Sequence, residues 1–207
     1  MYKLFYSPGA CSLAVHVILN ELAVPFDAVR KSTKDGSLKS PEFLKMNPRG
    51  QVPLLVAGDT PVKEGGAIIT WLLDTHKSPL LPQSGIERAK ALEWLMWANA
   101  SLHPAYSRAF WLMHQQIDEK SKATLNASIY AQIQSMWDEA EARLSQAKFL
   151  GGDNIGAADI LITVISQWGV GHEFTFGPNV QRVFKAVKDR PSWAKATAAE
   201  KAEAKAA

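Results

Sequence analysis

Cys11 is the one cysteine among 207 residues. It stands in Tyr6-Ser7-Pro8-Gly9-Ala10-Cys11-Ser12-Leu13, a stretch that reads as strand, tight turn and helix with the thiol at the turn. A helix start concentrates unpaired backbone N–H groups and the positive end of the macrodipole, so a sulfur placed there is favoured as thiolate and gains reactivity at neutral pH. The alternative is a small buried filler, because free cysteine is among the most buried residue types. Two further stretches bear on chemistry. In Gln51-Val52-Pro53-Leu54 an X-Pro bond directly precedes an apolar strand, where a cis peptide is expected; it would put the backbone of Val52 on the outside of the sheet, open to another extended chain. In Glu64-Gly65-Gly66 a carboxylate sits at the start of a helix.

Composition narrows the classes of function. A hydrophobic content of 47% with 21% charged residues is that of an ordinary globular chain. The formal charge of +3 is spread among nearly as many carboxylates as cations, which leaves no footprint for nucleic acid. One cysteine excludes an intrachain disulfide framework, and the five histidines show no ligand spacing, so no metal site is expected. The apolar N-terminus is interrupted by Pro8-Gly9 and followed by His16, Asn20 and Glu21, which assigns it to the fold and not to a signal peptide. No apolar run reaches the ~20 residues of a membrane span, so a cytoplasmic protein without a membrane partner is expected.

The elements that must position these residues follow in order. Tyr2 to Tyr6 is a strand, Leu13, Val17, Leu19 and Leu22 mark a helix, and Phe26 to Arg30 alternates as a second strand, implying a parallel pair with a right-handed crossover. After a polar loop from Lys31 to Ser40, Pro41 to Met46 forms a short helix ended by Asn47-Pro48-Arg49-Gly50. Gln51 to Ala57 and Pro61 to Lys63 form a hairpin, and a helix carries Ile68, Ile69, Trp71, Leu72 and Leu73. This βαβ-α-ββα order is thioredoxin-like. The position three after Cys11 is Ala14, so a redox cycle needs an external thiol.

Residues 1–77 thus form an α/β domain, 78–85 a linker, and 86–207 an all-α helical domain. Its first long helix is bent or interrupted at Pro104. A second follows the polar loop at Asp118 to Ser121, and a third starts at Gly156 with Asp159 placed to accept backbone N–H bonds and continues to Trp168. The Ala/Lys/Glu tail from Ala194 reads as a solvated, fraying helix.

Five ordered anchors give the chain a family resemblance: Tyr6 to Leu13, Asn47-Pro48-Arg49-Gly50-Gln51-Val52-Pro53, Glu64-Gly65-Gly66-Ala67-Ile68, Glu93-Trp94-Leu95 with Leu102-His103, and Ala158-Asp159 with Trp168. In these it resembles a cytosolic glutathione transferase, most closely the bacterial beta class, over essentially its whole length. The resemblance implies glutathione as co-substrate, lying extended with its cysteinyl part paired to Val52 before Pro53, and with Gln51 beside it. Its γ-glutamyl carboxylate would rest at Gly65 and its ammonium at Glu64. Lys34, with Lys39 the lesser candidate, would reach the glycyl carboxylate. Cys11 would face the glutathione sulfur with Tyr6 and Ala10 nearby, and His103 would join Cys11 as a catalytic residue. Tyr106, Phe110 and Trp168 would line a pocket for a small apolar electrophile.

The resemblance also implies a homodimer with Arg88 near the contact, and either of two activities. One is conjugation of glutathione to electrophiles; the other is thiol-disulfide exchange through Cys11, with peroxidase or disulfide reductase side activity. A non-enzymatic ligand carrier or regulatory interaction protein is the alternative. Relative to the family pattern, Gly65 replaces a common serine, Pro104 follows His103 where a basic residue is usual, and Met96 replaces a polar residue.

Overall fold

In the computed structural model, which describes residues 1–205, β1 (Tyr2–Tyr6) pairs in parallel with β2 (Phe26–Arg30) and antiparallel with β3 (Leu54–Ala57), which pairs antiparallel with β4 (Thr60–Lys63). The strand order is β2-β1-β3-β4. Helix α1 (Ser12–Glu21) makes the crossover between β1 and β2, and α2 (Pro41–Met46) and α3 (Gly65–Thr75) complete the expected βαβ-α-ββα order. The thioredoxin-like expectation therefore holds.

Alternation along β1 sends its side chains to two different layers. Phe5 joins Leu38, Phe43 and Leu54 in a cluster beneath α2. Phe43 is fully buried there, a burial that contributes about 1.5–3 kcal/mol. Leu4 and Tyr6 are buried on the other face, where the Tyr6 ring lies 5.4 Å from that of His16 on α1. Ser40 caps α2 by accepting the Phe43 N–H at 3.3 Å, and Pro41 fits its first turn, where no donor is needed.

Every residue of α1 from Ser12 to Leu19 is buried. A helix buried on all sides needs cover on all sides; β1 and α3 cover part of it, and the C-terminus supplies the rest. Helix α9 (Pro191–Lys205) packs on α1 with Trp193, Ala196 and Glu200 buried. The tail is thus not the solvated helix expected from its composition: the spacing Trp193, Ala196, Glu200 is one helical stripe, and Glu200 tolerates burial because His16 Nδ1 meets its Oε1 at 3.1 Å. Arg190 adds a bidentate bridge to Glu21, with both nitrogens 2.5 Å from the carboxylate oxygens, and Ser192 donates to the same carboxylate. These bonds, Arg190's foremost, hold the Glu21 carboxyl below its ordinary range.

The chain accordingly divides into two compact units, one from Met1 to Gln83 together with the segment from Lys188, the other from Ser84 to Val187. This corrects the expected 86–207 domain, whose last stretch belongs with the α/β unit. In the second unit α4 (Gly85–Trp97) runs through a π-helical turn at Ala98–Leu102 into α5 (His103–Met113). The π turn is the expected interruption. Pro104 lacks an N–H and its ring crowds the carbonyl four residues back, so the preceding turn widens and His103 N–H reaches Ala98 O instead.

Helix α6 (Glu119–Leu144) starts on Asp118, whose Oδ1 accepts the Ser121 N–H at 2.9 Å. Helix α7 (Ala157–Ile165) is buried along its whole length, and α8 (Pro178–Lys188) follows. Asp159 accepts Gly156 N–H at 2.8 Å and Leu150 N–H at 3.0 Å, so one carboxylate caps α7 and ties the preceding loop to it. Burial still outweighs those bonds and pushes the Asp159 carboxyl up to about 6. Trp168 lies beyond the end of α7, in a turn where its N–H reaches Ile165 O at 3.0 Å. Among the described residues no helix is long and apolar enough to cross a membrane.

Candidate active site

The turn that carries Cys11 is fixed from three sides. Ala10 N–H closes it on Ser7 O at 3.0 Å, with Gly9 at φ +72°, a conformation glycine adopts without cost. Ser12 Oγ accepts the Ser7 N–H at 3.1 Å. From α9, Glu200 Oε2 accepts the Gly9 N–H at 3.0 Å while its other oxygen holds His16. A carboxylate 3% exposed thus braces the loop before the thiol.

Cys11 precedes α1 with near-helical backbone angles, φ −56° and ψ −24°. Its Sγ donates to the backbone carbonyl of Val52 at 3.5 Å. Part of the residue stays open to solvent, but most of what surrounds the sulfur is protein. Burial pushes the Cys11 thiol up to about 11; the N–H groups of Cys11 and Ser12 pull the other way, and the Glu64 carboxylate adds to the rise. This corrects the expectation of a thiolate at the helix start. The helix-end effect is present, but desolvation exceeds it, and Cys11 is a neutral hydrogen-bond donor in this structure.

Opposite Cys11 lies the loop from Asn47 to Pro53. Asn47, buried at 3% exposure, donates from Nδ2 to Gln51 O at 2.7 Å and accepts the Arg49 N–H at 3.3 Å, while its carbonyl takes the Gly50 N–H at 2.9 Å. Gly50 has φ +63°, and a Cβ there would lie 2.8 Å from Leu38 O and 2.9 Å from Lys39 Nζ, so only glycine fits. The same contact places the Lys39 ammonium against Gly50; both Lys39 and Lys34, the latter in the loop after β2, are exposed. The Val52–Pro53 peptide bond is cis, as expected, and β3 begins at Leu54. Gln51 is exposed, Val52 half-buried and Pro53 buried.

Glu64 precedes α3 with φ +69° and ψ 116°, a region that costs a non-glycine residue about 1–3 kcal/mol. Its exposed carboxylate pairs with the Arg49 guanidinium. Gly65 is the first residue of α3 and has no positive φ.

The remaining expected residues divide by burial. Ala10 is half-buried beside Cys11. Tyr6 is 1% exposed beneath α1, which corrects its expected place beside a bound sulfur: strand alternation sends its ring inward onto His16. In the second unit the His103 ring lies 4.9 Å from that of Trp168, and Trp168 lies 6.0 Å from Phe110. All three are half-buried. Tyr106 is fully buried under Trp168, its hydroxyl accepting Trp137 Nε1–H at 3.0 Å, and burial pushes it up to about 12. It supports that cluster from below and does not line its surface.

Sequence reasoning missed Asn47, Arg49 and Glu200. Asn47 and Arg49 stood inside a recognised motif but were read as turn chemistry. The signal for Glu200 was its four-residue spacing from Ala196 within a low-complexity tail. Among the described residues there is no group of three or more His, Cys, Asp or Glu suited to a metal ion.

Comparison with known proteins shows the family. The profile for the glutathione S-transferase N-terminal domain matches residues 1–74, the segment that holds Cys11, Val52 and Glu64. A glutathione S-transferase from Xylella fastidiosa superposes with a TM-score of 0.87 at 27% identity, over 97% of this chain and 98% of that one. A sphingomonad glutathione S-transferase complexed with glutathione superposes at 0.81 and 26% identity, over 96% and 98%. The glutathione S-transferase GstA of Escherichia coli O157:H7 is 32% identical over 174 residues, 80% of this chain and 81% of that protein. With that identity over four-fifths of both sequences, the chain belongs to the glutathione S-transferase family.

Proposed function

We propose that this chain is a beta-class-like glutathione transferase that conjugates glutathione to small apolar electrophiles, with Cys11 as a neutral donor that stabilises the glutathione thiolate. The observation that carries this reading is the hydrogen bond from Cys11 to Val52 O, which brings the thiol to the loop backbone before β3 where an extended peptide would pair. Glutathione would take over the Val52 backbone, and the released Cys11 S–H would turn to the glutathione sulfur. Glu64 and the N–H groups at the start of α3 receive the two charges of the γ-glutamyl head. Lys39, whose ammonium lies against Gly50, is assigned to the glycyl carboxylate in preference to Lys34. The half-buried rings of His103, Phe110 and Trp168 form the apolar surface assigned to the electrophile.

Protonation decides between the two sulfurs. At pH 7.4 a thiol of pKa about 11 is ionised in about one molecule in 4,000, whereas a thiol at its ordinary pKa of ~8.5 is ionised in about one in 13. The glutathione sulfur therefore starts with about 300 times the thiolate population, which leaves an advantage of about 20-fold as nucleophile once the greater intrinsic reactivity of the higher-pKa thiolate is counted. Its thiolate attacks the electrophilic carbon, a carbon–sulfur bond forms, and the leaving group departs with the electron pair of the bond it breaks. The same arithmetic disfavours thiol-disulfide exchange initiated by Cys11.

The test compares Cys11→Ser with Cys11→Ala in conjugation of glutathione to 1-chloro-2,4-dinitrobenzene. A hydroxyl still donates, so Cys11→Ser keeps most of kcat/KM while Cys11→Ala loses about tenfold. Equal loss in both, together with loss of disulfide reduction, would assign a covalent role to Cys11 instead. A homodimer is part of the proposal, with exposed Trp71 and Met96 as apolar surface for it. Sedimentation at micromolar concentration should give twice the chain mass, and the chain mass alone would refute it.

A further inference from the structure

Arg49 and Glu64 present opposite charges side by side at the start of α3. Neither is placed by a flexible side chain alone. Glu64 is set by its left-handed backbone, and Arg49 by the turn that buried Asn47 locks through the Arg49 N–H and the Gln51 carbonyl. Both side chains are largely exposed, so the pair is weak in water and opens at little cost. Gly65 offers a backbone N–H but no side-chain donor, and Glu64 next to it repels any anion brought to that helix start.

We infer that Arg49 is a specificity-determining residue for the α-amino-acid end of glutathione: its guanidinium takes the α-carboxylate of the γ-glutamyl group while Glu64 takes the α-ammonium. This inference rests on the glutathione reading above and names the recognition chemistry of one end of that ligand. A zwitterion laid against the ion pair exchanges one opposite-charge contact for two, with signs alternating around the four groups. A ligand lacking the carboxylate leaves Arg49 on Glu64 and gains nothing from it. Without Arg49, the ligand carboxylate would face the Glu64 carboxylate with only backbone N–H groups to hold it.

The experiment is calorimetric titration of the full chain with glutathione and with 4-aminobutanoyl-cysteinylglycine, the analogue that lacks the α-carboxylate. Arg49→Gln should weaken glutathione about tenfold and leave the analogue within about twofold; Arg49→Lys should fall between. Adding Gly65→Ser to Arg49→Gln should recover part of the loss by restoring a side-chain donor. Equal weakening of both ligands would show that Arg49 only shapes its turn, and would overturn the inference. Unchanged or tighter glutathione binding would also overturn it, because Arg49 would then merely compete for Glu64. If the wild-type chain does not bind glutathione, the functional reading falls and this inference with it; if it binds without this selectivity, only the inference falls.

Discussion

The thiol of Cys11 offers a quantitative test of the local electrostatics. Its rise from 9.0 to about 11 corresponds to roughly 2.7 kcal/mol against the thiolate at about 1.36 kcal/mol per unit. Burial supplies most of it and the Glu64 carboxylate the least, so the Glu64→Gln variant should lower the value only slightly. At pH 7.4 the thiolate fraction is about 100-fold below that of a thiol at 9.0, and alkylation by iodoacetamide should be slower by about tenfold once the greater intrinsic reactivity of the higher-pKa thiolate is counted. The assay is the alkylation rate followed by intact mass between pH 7 and 11. The rate should climb through the whole range without a plateau. The folded value lies above the unfolded one, so this residue's contribution to stability is full below pH 9 and is lost as pH rises towards 11, by up to the same ~2.7 kcal/mol. Cys11→Ala should therefore flatten the alkaline fall in urea-unfolding free energy. A rate plateau near pH 7 or 8 would refute the reasoning, since it would mean that the start of α1 outweighs burial after all.

Other residues give equally specific outcomes. Glu200→Ala removes the acceptor for Gly9 N–H and leaves His16 buried without its carboxylate, so urea unfolding should show a loss of about 2–4 kcal/mol. Asn47→Ala should cost about 1–3 kcal/mol and weaken glutathione binding through the loop it holds, without touching the ligand. Lys39→Ala should weaken glutathione several-fold in calorimetry while Lys34→Ala should not; the reverse order would return the glycyl carboxylate to Lys34. Asp159 has its folded pKa raised from 3.8 to about 6, so its contribution falls as pH rises through that interval, and Asp159→Asn should make the wild-type's acid loss of stability between pH 4 and 6 steeper.

Much of this was legible because local rules and tertiary demands agree along the first 75 residues. The alternation from Phe26 to Arg30 delimited β2, and Pro41 after the polar loop marked the start of α2, both as observed. Gln51 to Pro53, expected as strand, lie outside it because the loop is tied to Asn47 and strand pairing begins only at Leu54. The helical tail failed for a different reason. An Ala/Lys/Glu composition is ambiguous until its partner is known, and the partner of Glu200 is His16, 184 positions away. The resemblance implied a place in the site for Tyr6 and Tyr106, but strand alternation and the Trp137 bond turn both inward. The ionisation of Cys11 could not be read from a helix start alone, because the opposing desolvation is set by everything that packs around the sulfur.

The central claim is that glutathione seats on the first unit, between Val52 and the start of α3 beside Cys11. Titration of the ¹⁵N-labelled chain with glutathione, followed by amide chemical shifts, tests it most directly. The largest shifts are expected at Cys11, Val52, Gly65 and Gly66, saturating together. Saturable shifts clustered elsewhere, or none at millimolar glutathione, would contradict it.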